Sequence, residues 1–477
     1  MSAHPSLDAA TIRERIGHPV VDADGHTLEF RPALDTYLVA EGAAGAAALM
    51  QTHMNAWDAM SPSQRASTRA IRPPFWGLPA ENTLDLATTT LPGLMYERLP
   101  SLGIDVSVVY PSFGVGFAHV PQDDLRRAAC RAVNRYHADV FADYRSRLVP
   151  VAVIPMHTPQ EAVDELHVAV RDLGFRAVVL AGWVRRPIDA AVAANPELAP
   201  LAAWYDFFGL DSPHDYDAVW EACEQLGVMP SFHSGAMGWH AHQSISNYSF
   251  NHIGHFAAGN HAVCRSLFLG GVTRRFPDLR FGFLEGGVSW AVTLLADLAG
   301  HWEKRNPAAV RRYDPARIDR AAYQELFDRY AGRLRAALPE NLADTFGMTR
   351  DLPEAHLDEY DGIRSVDELL DRFVPRFFFG CEADDPMTPV AFDRRRVPGG
   401  RPLAAMFSSD LGHWDVPDMT QVLPEAYEAV EDGSLDAGAF EAFTFTNATR
   451  FYAHGNRAFF AGTEVEADCA RLLGVPA

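Results

Sequence analysis

Eight short, near-continuous apolar runs rich in β-branched residues recur along this chain of 477 residues, and helical periodicity fills most of the intervals between them. The runs are Val20–Asp24, Val106–Tyr110, Val149–Ile154, Ala177–Ala181, Met229–His233, Arg280–Leu284, Arg376–Cys381 and Met406–Ser409. A strand with one wet face alternates apolar and polar residues, whereas a run that is apolar throughout must be covered on both faces. Helices between successive parallel strands give that cover, so the pattern predicts an α/β fold, a (β/α)8 barrel. Two crossovers read clearly as helices. In Asp123–Ala142 and in Gln160–Leu173 the apolar positions recur at three and four, and Gly174 stops the second.

The connections are unequal. Insertions at about 28–100, 184–220 and 303–375 are expected to cap the C-terminal mouth of the barrel, and helices at about 420–477 to follow the last strand. No Gly/Ser or Pro linker divides the chain, so residues 1–477 read as one domain.

The 41 basic residues include a single lysine, Lys304, in the polar helical stretch HWEKRNPAAVRR. A phosphate loop of the G-K-[ST] type, a Schiff-base lysine and a carbamylated lysine bridging two metals on a barrel strand are thereby removed. The chemistry falls to carboxylates, imidazoles and arginines. With 62 acidic residues the net charge is −21, which repels a polyphosphate and argues against nucleic-acid partners. The five cysteines are scattered without a C-x-x-C pair, the N-terminus has no apolar core, and no apolar run approaches the length of a membrane span. A cytoplasmic protein with no membrane partner is the expectation.

Ionisable groups gather at the ends of the apolar runs. The first ends in VVDADGHTLE, where Asp22, Asp24 and His26 alternate and period two puts them on one face, so Asp24 and His26 form a D-x-H pair. The fifth ends at His233 before small residues. The sixth ends at Glu285, followed by two glycines. The seventh ends in CEADD, where Glu382 reads either as a site residue or as part of a solvated loop. The eighth ends at Asp410, with His413 just beyond. A barrel brings all of these ends to one mouth. In FNHIGHFAAGNH, His252 and His255 are three apart, on one face of a helix, with His261 further along. Oxygen and imidazole donors suit iron, manganese or zinc. One metal can be served by Asp24, His26, His233 and Asp410. The remaining groups, Glu285 with His252 or His255 and Glu382, suffice for a second.

The blocks VVDADGH, AVIPMH, GGVTRRFPDLRFGFLEGGVSW and SSDLGHWD resemble the metal-dependent TIM-barrel family known as amidohydrolase family 2, related to the aminocarboxymuconate-semialdehyde decarboxylases. Asp24 stands where that family carries the first histidine of H-x-H, and Glu285 where its decarboxylases carry an acid–base histidine. The combination of DADGH, YSFNHIGHFA, LEGGVSW, CEADD and SDLGHWDVPDM resembles more narrowly the TIM-barrel nonheme diiron monooxygenases of platensimycin and platencin diterpenoid biosynthesis. That resemblance implies two Fe ions on Asp24, His26, His233, Glu285, Asp410 and one or both of His252 and His255. It further implies O2 as co-substrate, hydroxylation of an unactivated C–H bond in a bulky, CoA-linked substrate of secondary metabolism, and an unidentified electron donor. Glu285, His413 and Glu382 are the expected catalytic groups. Arg185–Arg186, Arg274–Arg275 and Arg394–Arg396 are candidates for the CoA phosphates, each equally readable as a solvated face. The aromatic groups Phe75–Trp76, Trp204–Phe208 and Phe377–Phe379 could line an apolar pocket, though most aromatics in such a chain belong to its core. The alternative is a mononuclear Zn- or Mn-dependent hydrolase or decarboxylase on the same barrel, with Glu285 or His413 carrying the proton. Homo-oligomerisation stays open.

Overall fold

The structure, a computed structural model, describes residues 7–73, 81–199, 201–337, 339–340, 359–360, 362–413 and 416–476. Ten strands are present among them: β1 Val21–Thr27, β2 Val106–Pro111, β3 Leu148–Ile154, β4 Ala177–Leu180, β5 Val184–Pro187, β6 Ala203–Asp206, β7 Pro230–Phe232, β8 Phe281–Phe283, β9 Phe377–Glu382 and β10 Ala404–Ser408. Eight form one sheet in the order β1-β2-β3-β4-β7-β8-β9-β10, every adjacent pair parallel. The ring closes just beyond the last strand, where the Asp410 amide donates to the Asp24 carbonyl (3.0 Å) and the His26 amide to that of Leu411 (2.6 Å). These are the eight strands expected, and β1, β2 and β3 are buried along their whole length, as continuous apolar runs require.

The helices also follow the periodicity, with local departures. Asp123–Val140 forms as read. The second crossover is α-helical only over Pro159–His167 and widens into a π-helical turn at Val168–Asp172, before Gly174 leaves the helix with φ 72°. Lys304 is exposed near the end of the helix Ser289–Arg305. Sequence periodicity missed β5 and β6, an antiparallel hairpin inside the 184–220 insertion, because its strands are short and only partly buried. No described helix is long and apolar enough to cross a membrane.

Side-chain size sorts the two faces of the barrel wall. Phe281, Phe283, Phe377 and Phe379 are fully buried toward the surrounding helices, where Phe283 and Phe379 meet Trp290 at 5.7 and 5.4 Å and Phe377 meets Phe373 at 4.7 Å. Phe377 and Phe379 are therefore core rather than pocket, while Phe378 points to the opposite face, 5.3 Å from the Phe451 ring. On the other face Gly282 leaves the space that the Phe451 ring occupies. Phe451 and Tyr452 belong to the helix Asn447–Tyr452 and reach the barrel interior. The Tyr452 hydroxyl donates to the Ala23 carbonyl (2.6 Å) and lies 2.9 Å from that of Tyr110, which donates to Ser231 Oγ (2.9 Å). Ser231 in turn donates to the Val178 carbonyl (2.7 Å), so this hydroxyl chain ties β1, β2, β4 and β7 together in the interior.

Candidate metal centre

The site begins with an irregularity in β1. Its register with β2 shifts between Asp22 and Gly25, a bulge that re-aims the residues after it. Asp22 consequently does a different job from its two partners in the alternation. Its carboxylate accepts from Ser107 Oγ (2.5 Å) and from both the amide (2.8 Å) and Oγ (2.7 Å) of Ser409, joining β1 to β2 and to the end of β10. Burial raises its pKa and these hydrogen bonds oppose the rise. The expectation that all three groups point into the mouth is corrected: Asp24 and His26 do, and Asp22 holds the strand that carries them.

Asp24 is fully buried and neither of its oxygens accepts a hydrogen bond. Burial, with Glu285 and Asp22 nearby, pushes its pKa well above the carboxylate range, against the pull of His233 and His413. Such a group costs free energy unless a cation meets it. His26 Nε2 lies 3.5 Å from Asp24 Oδ1, 3.3 Å from Asp410 Oδ1 and 3.3 Å from His233 Nε2. Burial and the neighbouring imidazoles His413 and His233 hold its pKa well below the usual value, so it is neutral with a lone pair to give. Burial would lower His233 as well, but Glu285 and Asp24 outweigh it and raise its pKa. Two sets of donor atoms fall within 4.8 Å of one another: Asp24, His26 and His233, and His26, Glu285 and Asp410. Convergent imidazole and carboxylate donors with an unsatisfied buried carboxylate fit a divalent cation such as manganese, zinc or iron.

Glu285 and Asp410 share a backbone feature. Both have positive φ, 57° and 51°, a conformation that costs a non-glycine residue free energy and marks sites where geometry is imposed. The turn aims both carboxylates at the same group. His413 Nδ1 is 3.0 Å from Asp410 Oδ2 and 3.3 Å from Glu285 Oε1, and its ring stacks on His26 at 4.9 Å.

The remaining expected residues divide. His252 and His255 are not on one helix: Tyr248–His252 ends, Gly254 turns with φ 72°, and His255 opens the helix His255–Leu269. Their rings still approach to 5.2 Å. His255 is 4% exposed, neither ring nitrogen has a hydrogen-bond partner, and Phe256 packs against both it and His233, with ring centroids 4.0 and 5.0 Å away. Burial lowers its pKa to about 4, with Glu285 pulling the other way. His261 packs against Trp290, 6.2 Å between ring centroids, instead of joining the donors. Glu382 closes β9 in register with Ser408 and belongs to neither donor set. Periodicity could not have found Tyr110 and Tyr452, whose roles depend on contacts across the interior.

Around the mouth the β5–β6 hairpin supplies an aromatic wall. Trp183 meets His119 (4.7 Å) and Tyr205 (5.1 Å), and Trp239 meets Tyr205 (5.0 Å) and Phe207 (5.4 Å). The Trp183 indole donates to the Gly235 carbonyl (2.8 Å), joining this wall to the loop after His233. Of the Trp204–Phe208 group, Phe208 is core, packed on Tyr216 at 4.8 Å. Phe75–Trp76 lies outside the described residues. The arginines considered for phosphates are largely engaged: Arg186 pairs with Asp206 (2.6 Å), Arg275 with Asp217 (2.8 Å), and Arg395 and Arg396 with Asp393 (3.5 and 3.4 Å).

Parallel strands closed into a ring, with acids and imidazoles gathered beyond their C-terminal ends, define a barrel of the metal-dependent enzyme class with a candidate metal centre at its mouth. The amidohydrolase family model matches residues 90–334, just over half of the chain, and the chain belongs to that family. Among solved structures it is similar to manganese-bound 5-carboxyvanillate decarboxylase from Novosphingobium aromaticivorans, at 14% identity over 92% of this chain and 97% of the other, with a TM-score of 0.48. The 5-carboxyvanillate decarboxylase of Sphingomonas paucimobilis matches at 13% identity over 91% and 98%, TM-score 0.49. A manganese-bound dihydroxybenzoic acid decarboxylase from Polaromonas sp. JS666 matches at 13% over 91% and 97%, TM-score 0.45.

Proposed function

We propose that this protein is a metal-dependent hydrolase or decarboxylase acting on a small organic acid, with one manganese or zinc ion held by Asp24, His26, His233 and Asp410. The observation that carries the reading is Asp24, a fully buried carboxylate without a hydrogen-bond donor, beside an imidazole whose Nε2 also faces His233 and Asp410. When bound, the cation supplies Lewis-acid polarisation of a substrate oxygen. The protein's own groups do the rest. Asp22 fixes β1 so that Asp24 and His26 keep their aim. Glu285 Oε1 lies 3.3 Å from His413 Nδ1, which makes Glu285 the group able to exchange a proton between His413 and the substrate. Asp410 Oδ2, at 3.0 Å from His413 Nδ1, orients that ring. Metal analysis of the purified protein, followed by turnover assays with aromatic and aliphatic acids under nitrogen, tests this reading. One manganese or zinc per chain with oxygen-independent turnover supports it, and a metal-free active enzyme sinks it.

A second reading is favoured by one specific observation, the two unpartnered nitrogens of buried His255 beside Glu285. With His252 they offer donors for a further ion, the arrangement a nonheme diiron monooxygenase would need to hydroxylate a bulky CoA-linked substrate with O2 and an external electron donor. Two irons per chain and substrate-dependent oxygen uptake would establish it in place of the first.

A further inference from the structure

The end of the barrel opposite the metal centre carries its own cavity, of about 710 Å³, where β8, β9 and β10 begin. Arg280 immediately precedes β8, Pro375 comes two residues before β9, and Leu403 immediately precedes β10. The C-terminal helices close the other side through Ala439, Asn447 and Leu472. β9 has six residues, so this cavity and the metal centre are separated by roughly 20 Å of strand.

Its lining reverses the charge of the molecule. In a chain of net charge −21, Arg280, Arg394, Arg450, Arg457 and His454 converge on one cavity, against a single lining carboxylate, Asp436. That carboxylate is committed elsewhere, accepting from the Ala439 amide (2.8 Å) to cap its helix. None of the four arginines forms a salt bridge among the described residues; Arg280, Arg394 and Arg457 donate only to main-chain carbonyls. The contrast with Arg186, Arg275 and Arg395, each paired with a carboxylate, is direct. Crowding adds a cost. Burial, then Arg376, lowers Arg280 to about 10, and burial, then Arg280 and Arg457, lowers His454, with Asp278 opposing in both cases. Cations that outnumber the neighbouring carboxylates in this way are stabilised by an anion, and guanidinium forks match phosphate geometry. The rest of the lining is apolar, with Phe378, Phe392, Leu403 and Leu473.

We infer that this cavity binds a small molecule bearing a phosphate group on an apolar or aromatic body, at a site separate from the metal centre and independent of the reaction proposed there. The phosphate sits among Arg450, Arg457, Arg280 and His454, and the apolar body against Phe378 and Phe392.

The test is calorimetric titration of the metal-loaded full chain at low ionic strength with inorganic phosphate and with phenyl phosphate. Both should bind saturably, phenyl phosphate more tightly, and the double variant Arg450→Gln/Arg457→Gln should lose roughly tenfold or more in affinity for each. Both arginines are exposed, so the variant should melt as the parent does without ligand. Arg275→Gln, outside the cavity, and Asp24→Asn, at the metal centre, should bind phenyl phosphate unchanged. Absence of saturable binding overturns the inference. So does equal affinity for the two probes, binding that survives the double variant, or binding that disappears in Asp24→Asn. Retention on duplex DNA or anionic vesicles without binding of phenyl phosphate also overturns it, marking the arginines as a surface for a macromolecule.

Discussion

Glu285 Oε2 lies 2.8 Å from His233 Nε2, although the two residues end different strands and Glu285 reaches that position only through a left-handed backbone, φ 57°. The strain and the contact belong together. A residue of ordinary φ following Leu284 would leave the strand in another direction, and the link between His233 and His413 through one carboxylate would be lost.

Glu285→Gly separates the two effects. Glycine adopts positive φ at no steric cost, so the metal-free variant should be more stable by about 1 kcal/mol. Turnover should fall by roughly a hundredfold or more, the usual loss on removing an acid–base group. Thermal melts in chelator and kcat measurements check the pair; an active variant would remove Glu285 from the proton path.

Asp24→Asn should leave the fold intact and abolish stoichiometric metal binding. The parent carboxylate is buried with no donor, so its neutral replacement avoids a desolvation cost in the metal-free state. Metal content should drop well beyond the roughly 10–100-fold loss of affinity typical of outer residues. Elemental analysis after dialysis, with melting curves in chelator, decides it.

Adding chelator should lower the melting temperature of the parent but not of Asp24→Asn. Ligand binding stabilises only a state that binds it, by about 2.7 kcal/mol at a hundredfold excess over Kd. A parent melt insensitive to chelator would contradict a metal centre in the mouth.

Acid should destabilise the protein through fully buried His137 and half-buried His157, both remote from the donors. Burial holds both at about 3, with Arg126 adding to the effect at His157. Their folded pKa values lie below the unfolded value, so the unfolded chain takes up protons first as pH falls. Stability is complete above about pH 6.5 and declines below it, by up to roughly 2 kcal/mol per histidine at pH 5. His157→Gln should flatten the dependence of urea midpoint on pH between 6.5 and 4; an unchanged slope would show that His157 is protonated in the fold.

Tyr452→Phe should destabilise the barrel by about 1–2 kcal/mol, since it removes a buried hydroxyl bonded to Ala23 and shared with Tyr110. Urea unfolding measures it, and unaltered metal content would confine the effect to the barrel interior.

Much of this architecture is written locally. Eight apolar runs sufficed to place the barrel strands because a parallel strand covered on both faces has no other way to look. Asp24, His26, His233, Glu285, Asp410 and His413 were legible for the same reason: a strand's C-terminal end in such a barrel faces the mouth. The rest depended on contacts between distant segments. One extra residue in β1 turned Asp22 off the face it was expected to share with Asp24 and His26 and into a tie to Ser107 and Ser409, and no period-two pattern records a bulge. Gly254 split the helix on which His252 and His255 were expected to align. Trp290 took His261, and the opposing end of the barrel gathered Arg280, Arg450 and Arg457, far apart in the chain, beside one member of the Arg394–Arg396 run. Local pattern determines which face of an element is buried; only the closed ring determines what is buried beside it, because that is set by where the chain returns.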